Sequence, residues 1–164
     1  MSTFESRTYE YEARLPDPAT MRSMTGLEYL TAVLHGDMPA APIAQTLGFR
    51  AAEFSFGRAI FEGSPQRFAY NPLGSIHGGW YATLLDSAMG CAVHSTLPAG
   101  RGYTTIDLSV TLTRAITERI PLIRCEGTVL HSGGSVATAQ GRIVDEAGTL
   151  YATGTTTCLI LSPR

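Results

Sequence analysis

Residues 77–97 read HGGWYATLLDSAMGCAVHSTL. The run holds no proline and consists mostly of residues that tolerate a helix. Its apolar and small side chains do not keep to one stripe. Trp80, Ala82, Leu84, Leu85, Ala88, Met89, Cys91, Ala92 and Val93 wrap most of the way round. A surface helix keeps a polar face, whereas one that is apolar on nearly every side is enclosed by other structure. Within this helix Asp86 is the only carboxylate.

What encloses it is legible downstream. After the Pro98-Ala99-Gly100 break, Ile106, Leu108, Val110 and Leu112 alternate with Thr105, Asp107, Ser109, Thr111 and Thr113. This period of two predicts a half-buried strand with Thr105 on the polar face. Further strands are predicted over 119–131, 135–145 and 149–161, with Gly133-Gly134 and 146–148 as turns. Short turns join antiparallel neighbours, so the second half reads as a four-strand meander. A long antiparallel sheet with one apolar face curling around one buried helix is an α+β hot-dog arrangement.

Upstream, Thr25-Gly26-Leu27-Glu28 has the order of a capping box. Leu27, Leu30, Val33 and Leu34 follow at helical spacing, and Gly36 supplies a left-handed stop. Residues 47–55 and 58–62 read as a hairpin turning at Phe56-Gly57, and 63–75 as a loop containing Pro65 and Pro72. Residues 1–23 are polar, aperiodic and hold Pro16 and Pro18. They are expected to form an extended or poorly ordered arm before a single domain over 24–164.

Composition removes several chemistries. All twelve basic residues among the 164 are arginine. Without lysine there is no Schiff base, no pyridoxal phosphate attachment and no phosphate-binding loop of the G-x-x-x-x-G-K-[ST] kind. The net charge of −2 offers no basic footprint for nucleic acid. Charged residues make up 16% of the chain, against roughly 25% in a typical soluble domain, which suggests surface hidden by self-association. Cys91, Cys125 and Cys158 are odd in number and widely spaced. They read as small core residues in a reducing, cytoplasmic setting. Met1–Arg14 lacks the apolar core of a signal peptide, and no apolar run approaches the ~18 residues of a membrane span. His35, His77, His94 and His131 show no metal-ligand spacing, so neither a metal nor a cofactor is expected.

The remaining candidates cluster around the helix start, in Asn71-x-x-Gly74-x-x-His77-Gly78-Gly79. Uncovered N–H groups at a helix mouth carry the positive end of its dipole and suit an oxyanion or a polarised carbonyl. Gly-Gly there equally permits close packing, and Asn71 before Pro72 equally suits an Asx turn. Asp86, with no arginine on its own helix, reads as a buried general base or nucleophile, or as a structural carboxylate bonded to a loop. It lies eight residues beyond Gly78, about 12 Å at ~1.5 Å per residue. Two antiparallel copies of the helix across a two-fold axis would bring Asp86 of one to Gly78 of the other.

The run from Asn71 to Gly79, continuing through Leu84-Leu85-Asp86 and Thr104-Thr105-Ile106-Asp107-Leu108, resembles the PaaI-type hot-dog acyl-CoA thioesterases. That resemblance implies hydrolysis of acyl-CoA or aryl-CoA by a homodimer or dimer of dimers, with CoA entering only as part of the substrate. Carried over, Gly78 offers the N–H that polarises the thioester carbonyl, and the partner's Asp86 activates water or attacks. Asn71 and Thr105 place the water or carbonyl, and His77 orders the loop. The chain has Arg114-Ala115 where the family often has Arg-Pro, and Ser132-Gly133-Gly134-Ser135 where many members carry Gly-Arg. Gly79, Arg114, Gly133 and Gly134 are therefore the candidates for contacting substrate. Competing readings are a non-catalytic acyl-CoA-binding module and a hot-dog dehydratase or hydratase. The second would need a catalytic His, for which only His77 is placed.

Overall fold

A computed structural model describes residues 4–162. Residues 1–3 of the expected arm lie outside them, and residues 4–17 carry no helix or strand. One short helix lies in the expected arm, and another ends on Leu47, the first residue of the expected hairpin. In α1 (Pro18–Ser23), Asp17 caps the Thr20 N–H at 2.8 Å. In α3 (Pro42–Leu47), proline again opens the helix and Gly48 closes it at φ 71°. Between them, α2 (Gly26–His35) has the expected capping box and a left-handed Gly36. Strands β1 (Phe49–Ser55) and β2 (Arg58–Gly63) form the hairpin across Phe56-Gly57.

The central helix, α4, spans Gly78–His94. Strands β3 (Gly102–Leu112), β4 (Ile123–Ser132), β5 (Val136–Asp145) and β6 (Leu150–Leu161) complete one antiparallel sheet. Its order is β1-β2-β4-β5-β6-β3. The four-strand meander is thus corrected: β4, β5 and β6 follow one another, but β3 pairs with β6 at the far edge. Residues 113–122, with Pro121, make a connection too long for a tight hairpin. It crosses the N-terminal end of α4, burying Ile116, whose carbonyl accepts the Ile76 N–H at 2.9 Å.

The sheet wraps α4 closely because its inner face is built from small residues. Gly127, Gly141 and Gly154 sit opposite one another on β4, β5 and β6. A Cβ at Gly127 would lie 2.4 Å from the Ala88 backbone, and one at Gly141 would lie 2.9 Å from Leu85 Cδ2. This row of glycines is a groove in which the helix backbone rests on the strands. Cys125 and Cys158 are fully buried on the same face. Trp80, Tyr81, Leu84, Leu85, Ala88, Met89, Ala92 and Val93 fill the remaining volume. Burying a large apolar side chain stabilises a fold by about 1.5–3 kcal/mol, so the seam between helix and sheet is the main source of cohesion.

Candidate active site

The sheet does not cover all of α4. Gly79, Thr83, Asp86, Ser87, Cys91 and His94 keep some exposure along one side. Asp86 is accordingly half-buried, not enclosed as its apolar helix suggested. Strand β3 lies along that side and runs antiparallel to α4. A Cβ at Gly78 would touch Leu112 Cδ1 at 3.4 Å, and one at Gly90 would strike the Tyr103 hydroxyl.

Midway along, the Thr105 hydroxyl donates to Asp86 Oδ1 at 2.9 Å. Alternation alone placed Thr105 opposite to Leu108, Val110 and Leu112. The structure reconciles the two with a β-bulge: Thr105 pairs with Cys158 and Asp107 with Thr157, leaving Ile106 as the extra residue. A bulge changes the parity of the strand. Tyr103 and Thr105 before it, and Leu108, Val110 and Leu112 after it, all face the helix side. These apolar residues lie on an edge strand, so Ile106, Leu108 and Leu112 stay 59%, 37% and 49% exposed.

At the helix mouth His77 is the N-cap. Its Nδ1 accepts the Gly79 N–H at 2.9 Å. The Gly79 amide is therefore bonded within the chain. The Gly78 N–H has no acceptor among the described residues and remains directed out of the helix end. Asn71 spends its side-chain oxygen on the Leu73 N–H (2.9 Å) and the Ser75 N–H (3.4 Å), and its amide donates to Ser75 Oγ at 3.2 Å. It shapes the loop that turns at Gly74 (φ 82°). Arg114 is exposed beside this mouth, with its carbonyl accepting the Tyr81 hydroxyl at 3.3 Å.

Gly133 and Gly134 are elsewhere. Their hairpin lies at the other end of α4, where Ser132 Oγ and Thr96 Oγ1 are 2.9 Å apart. The Gly133 N–H is taken by the Val136 carbonyl at 2.9 Å, and Arg101 donates to the Gly134 carbonyl. The 17 residues of α4 separate this hairpin from Gly78 by about 25 Å. One chain alone brings together Asp86 and Thr105 at mid-helix, and Gly78, His77, Asn71 and Arg114 at the mouth. It does not unite the two groups.

Residues 73–152 match the thioesterase superfamily. The matched segment contains α4 and β3 and begins after α1, α2 and α3, so those helices lie outside it. A Halobacterium salinarum protein whose name places it provisionally among the esterases is 40% identical over 78 residues. That match covers 46% of this chain, and the chain spans about half that relative's length. Among solved structures, a phenylacetic acid degradation-related protein from Ralstonia eutropha JMP134 superposes with a TM-score of 0.73 at 26% identity. It covers 80% of this chain and 98% of its own. Escherichia coli PaaI superposes with a TM-score of 0.72 at 17% identity, covering 85% and 95%, a likeness of fold. The hot-dog architecture is therefore shared with these solved structures.

The superfamily segment does not account for a cavity of about 410 Å³ that opens beside Asp86 and Ser87. Its far wall is α2 and α3, with Leu30, Val33 and Ala44, and β1 and β2 contribute Phe54 and Phe61. Trp80, Tyr81 and Met89 of α4 do not line it, since all three are buried in the core. The periodic apolar stripe of α2 was the available signal. Cys91 also lines the cavity, and burial pushes its thiol up to about 12, so it stays protonated and is no nucleophile. Burial likewise raises the Tyr103 hydroxyl well above its ordinary range.

Proposed function

We propose that this chain hydrolyses acyl-CoA or aryl-CoA thioesters to the free acid and CoA, at a site completed by two subunits. The observation that carries this reading is the Asp86 carboxylate, held by Thr105 at the mouth of an apolar cavity. A carboxylate that keeps one oxygen bonded and the other free is oriented to take a proton from water, or to attack a carbonyl carbon directly. The thioester oxygen gains negative charge in either route. A free backbone N–H at a helix N-terminus stabilises that charge more in the transition state than in the ground state. Gly78 offers such a group, but about 12 Å along the same helix from Asp86.

A two-fold dimer removes that separation. Edge strand β3 has an unpaired side and carries exposed Ile106, Leu108 and Leu112, which favours pairing with a second copy. Pairing β3 antiparallel to its copy sets two α4 helices antiparallel, with Gly78 of one near Asp86 of the other. The same operation moves Arg114 of one subunit toward the end of α4 that carries Arg101, Gly133 and Gly134 of its partner. With no lysine in the chain, arginine and backbone amides are what remain to hold CoA phosphates.

The test is turnover of a panel of acyl-CoA thioesters, followed by release of free thiol, in wild type and Asp86→Asn. The variant should lose at least about 100-fold in kcat with its fold intact, the range expected on removing a general base. Wild-type rates in Asp86→Asn would end the assignment. Single turnover in ¹⁸O-water distinguishes the routes, since direct attack alone carries label into the Asp86 carboxylate.

A further inference from the structure

We infer that α2 and α3 form an acyl-selecting wall, and that the thioester accepted here carries an uncharged, apolar acyl group of medium size. The inference rests on the thioesterase reading of Asp86. Three observations support it. The cavity begins at Asp86 and Ser87, so a thioester carbonyl placed at that carboxylate points its acyl chain inward, between α4 and α2. The walls are apolar, with Leu30, Val33, Ala44, Phe54 and Phe61 among them. Charge within the cavity is restricted to two lining residues, Asp86 and Arg50. Asp86 repels a second carboxylate. Arg50 is bonded to Glu62 at 2.6 Å, with its side chain 71% exposed to solvent. Among the described residues, no free cation therefore meets a dicarboxylic acyl group such as succinyl.

Size follows from volume. A cavity of about 410 Å³ is in the lower part of the range for small-molecule sites, which begins at roughly 300 Å³. An acetyl or butyryl group leaves most of it unfilled and forgoes the gain of about fourfold per buried methylene, equivalent to about 0.8 kcal/mol. The same volume limits a long chain. The wall is anchored to the catalytic helix: the Gly26 N–H donates to the Leu97 carbonyl at 3.0 Å, and the start of α2 packs on His94. The segment that sets acyl length is thus tied directly to the helix that carries Asp86.

The experiment measures kcat/KM for butyryl-, octanoyl-, palmitoyl-, phenylacetyl- and succinyl-CoA. It also measures calorimetric binding of butyryl- and octanoyl-CoA to Asp86→Asn, which reads the cavity without turnover. The expected result is octanoyl- or phenylacetyl-CoA at least tenfold above both butyryl- and succinyl-CoA, and octanoyl-CoA binding at least tenfold tighter than butyryl-CoA. The order of octanoyl and phenylacetyl assigns the cavity to a chain or a ring. Val33→Trp, which fills the cavity from α2, should cut the octanoyl-to-butyryl ratio at least tenfold. Ala51→Leu on β1 should cut it in the same direction and serves if the tryptophan disturbs α2. Thioesters cleaved with butyryl or succinyl preferred, or a ratio unmoved by both folded variants, would overturn the inference and leave the thioesterase reading standing. Tenfold tighter octanoyl-CoA binding with no thioester cleaved would overturn the activity and leave the cavity's selectivity in place. Equal binding of the two thioesters overturns the selectivity whatever the turnover.

Discussion

The Thr105–Asp86 bond is the most informative contact in the molecule, since it joins a strand residue to a helix residue nineteen positions away. A hydrogen bond to a charged group contributes about 1.5–3 kcal/mol, so orientation of the carboxylate depends on it. Thr105→Val keeps the shape of the side chain and removes the donor. It should lower kcat by roughly 10–100-fold with little change in melting temperature, and Thr105→Ser should recover most of the loss. Equal kcat in Thr105→Val and wild type would show that Asp86 needs no such support. His94 makes a different kind of prediction. Its ring lies 5.5 Å from both Tyr29 and Tyr103, and burial lowers its pKa from 6.5. Above about pH 6.5 it is neutral in both folded and unfolded chains and leaves stability unchanged. As pH falls below that value the unfolded chain takes up the proton first, so stability declines until the lower folded pKa is passed. Arg22 and Arg101 line the same recess, which holds no carboxylate to offset the charge. Melting temperature should therefore fall as pH drops below about 6.5, less steeply in His94→Gln. Parallel pH profiles for the two proteins would exclude His94 as the source.

At the scale of elements, the seating of α4 on Gly127, Gly141 and Gly154 explains how one sheet encloses a helix so tightly. A methyl group at Gly127 meets backbone atoms of Ala88 and Met89, which have no rotamer to yield. Gly127→Ala should cost about 1–3 kcal/mol, a fall in melting temperature of roughly 3–10 °C. A wild-type melting curve would show that the strand can move away from the helix. These glycines stand in the middles of strands, a placement that signals close backbone approach. The sequence reading used glycine at turns, at a helix stop and at the mouth of α4, and the row across three strands becomes visible only when register is known. The existence and type of the long elements were legible, because α4 and β3 have strong and distinct periods. Helices α1 and α3 escaped because each has only six residues and opens on proline, and so resembles a loop. The bulge at Ile106 left no mark in an unbroken alternation. It arises where β3 must follow β6 and still direct Thr105 at Asp86.

For the whole molecule, the central question is whether one chain holds a complete site. Gly78 is the first residue of α4 and follows His77 in extended conformation, so Gly78→Pro is compatible with the helix and removes its N–H. Gly78→Pro and Asp86→Asn should each be inactive alone. Mixed and allowed to exchange subunits, they form heterodimers with one intact site in which Gly78 and Asp86 come from different chains. Activity should recover to about a quarter of wild type, because half the dimers are mixed and each has one of its two sites. A mixture as inactive as its parts would place the whole site within one subunit. No helix among the described residues is long and apolar enough to cross a membrane. By itself the sequence determined that a nearly all-apolar helix had to be enclosed by strands, and that Asp86 and Gly78 were its chemically notable positions. Both follow from local periodicity and from the cost of hiding a carboxylate. Tertiary structure alone decided that β3 leaves β4 for the far edge, that a bulge turns Thr105 inward, and that α2 and α3 close a cavity onto Asp86. Each of those depends on contacts between residues far apart in the chain, whose geometry no local pattern encodes.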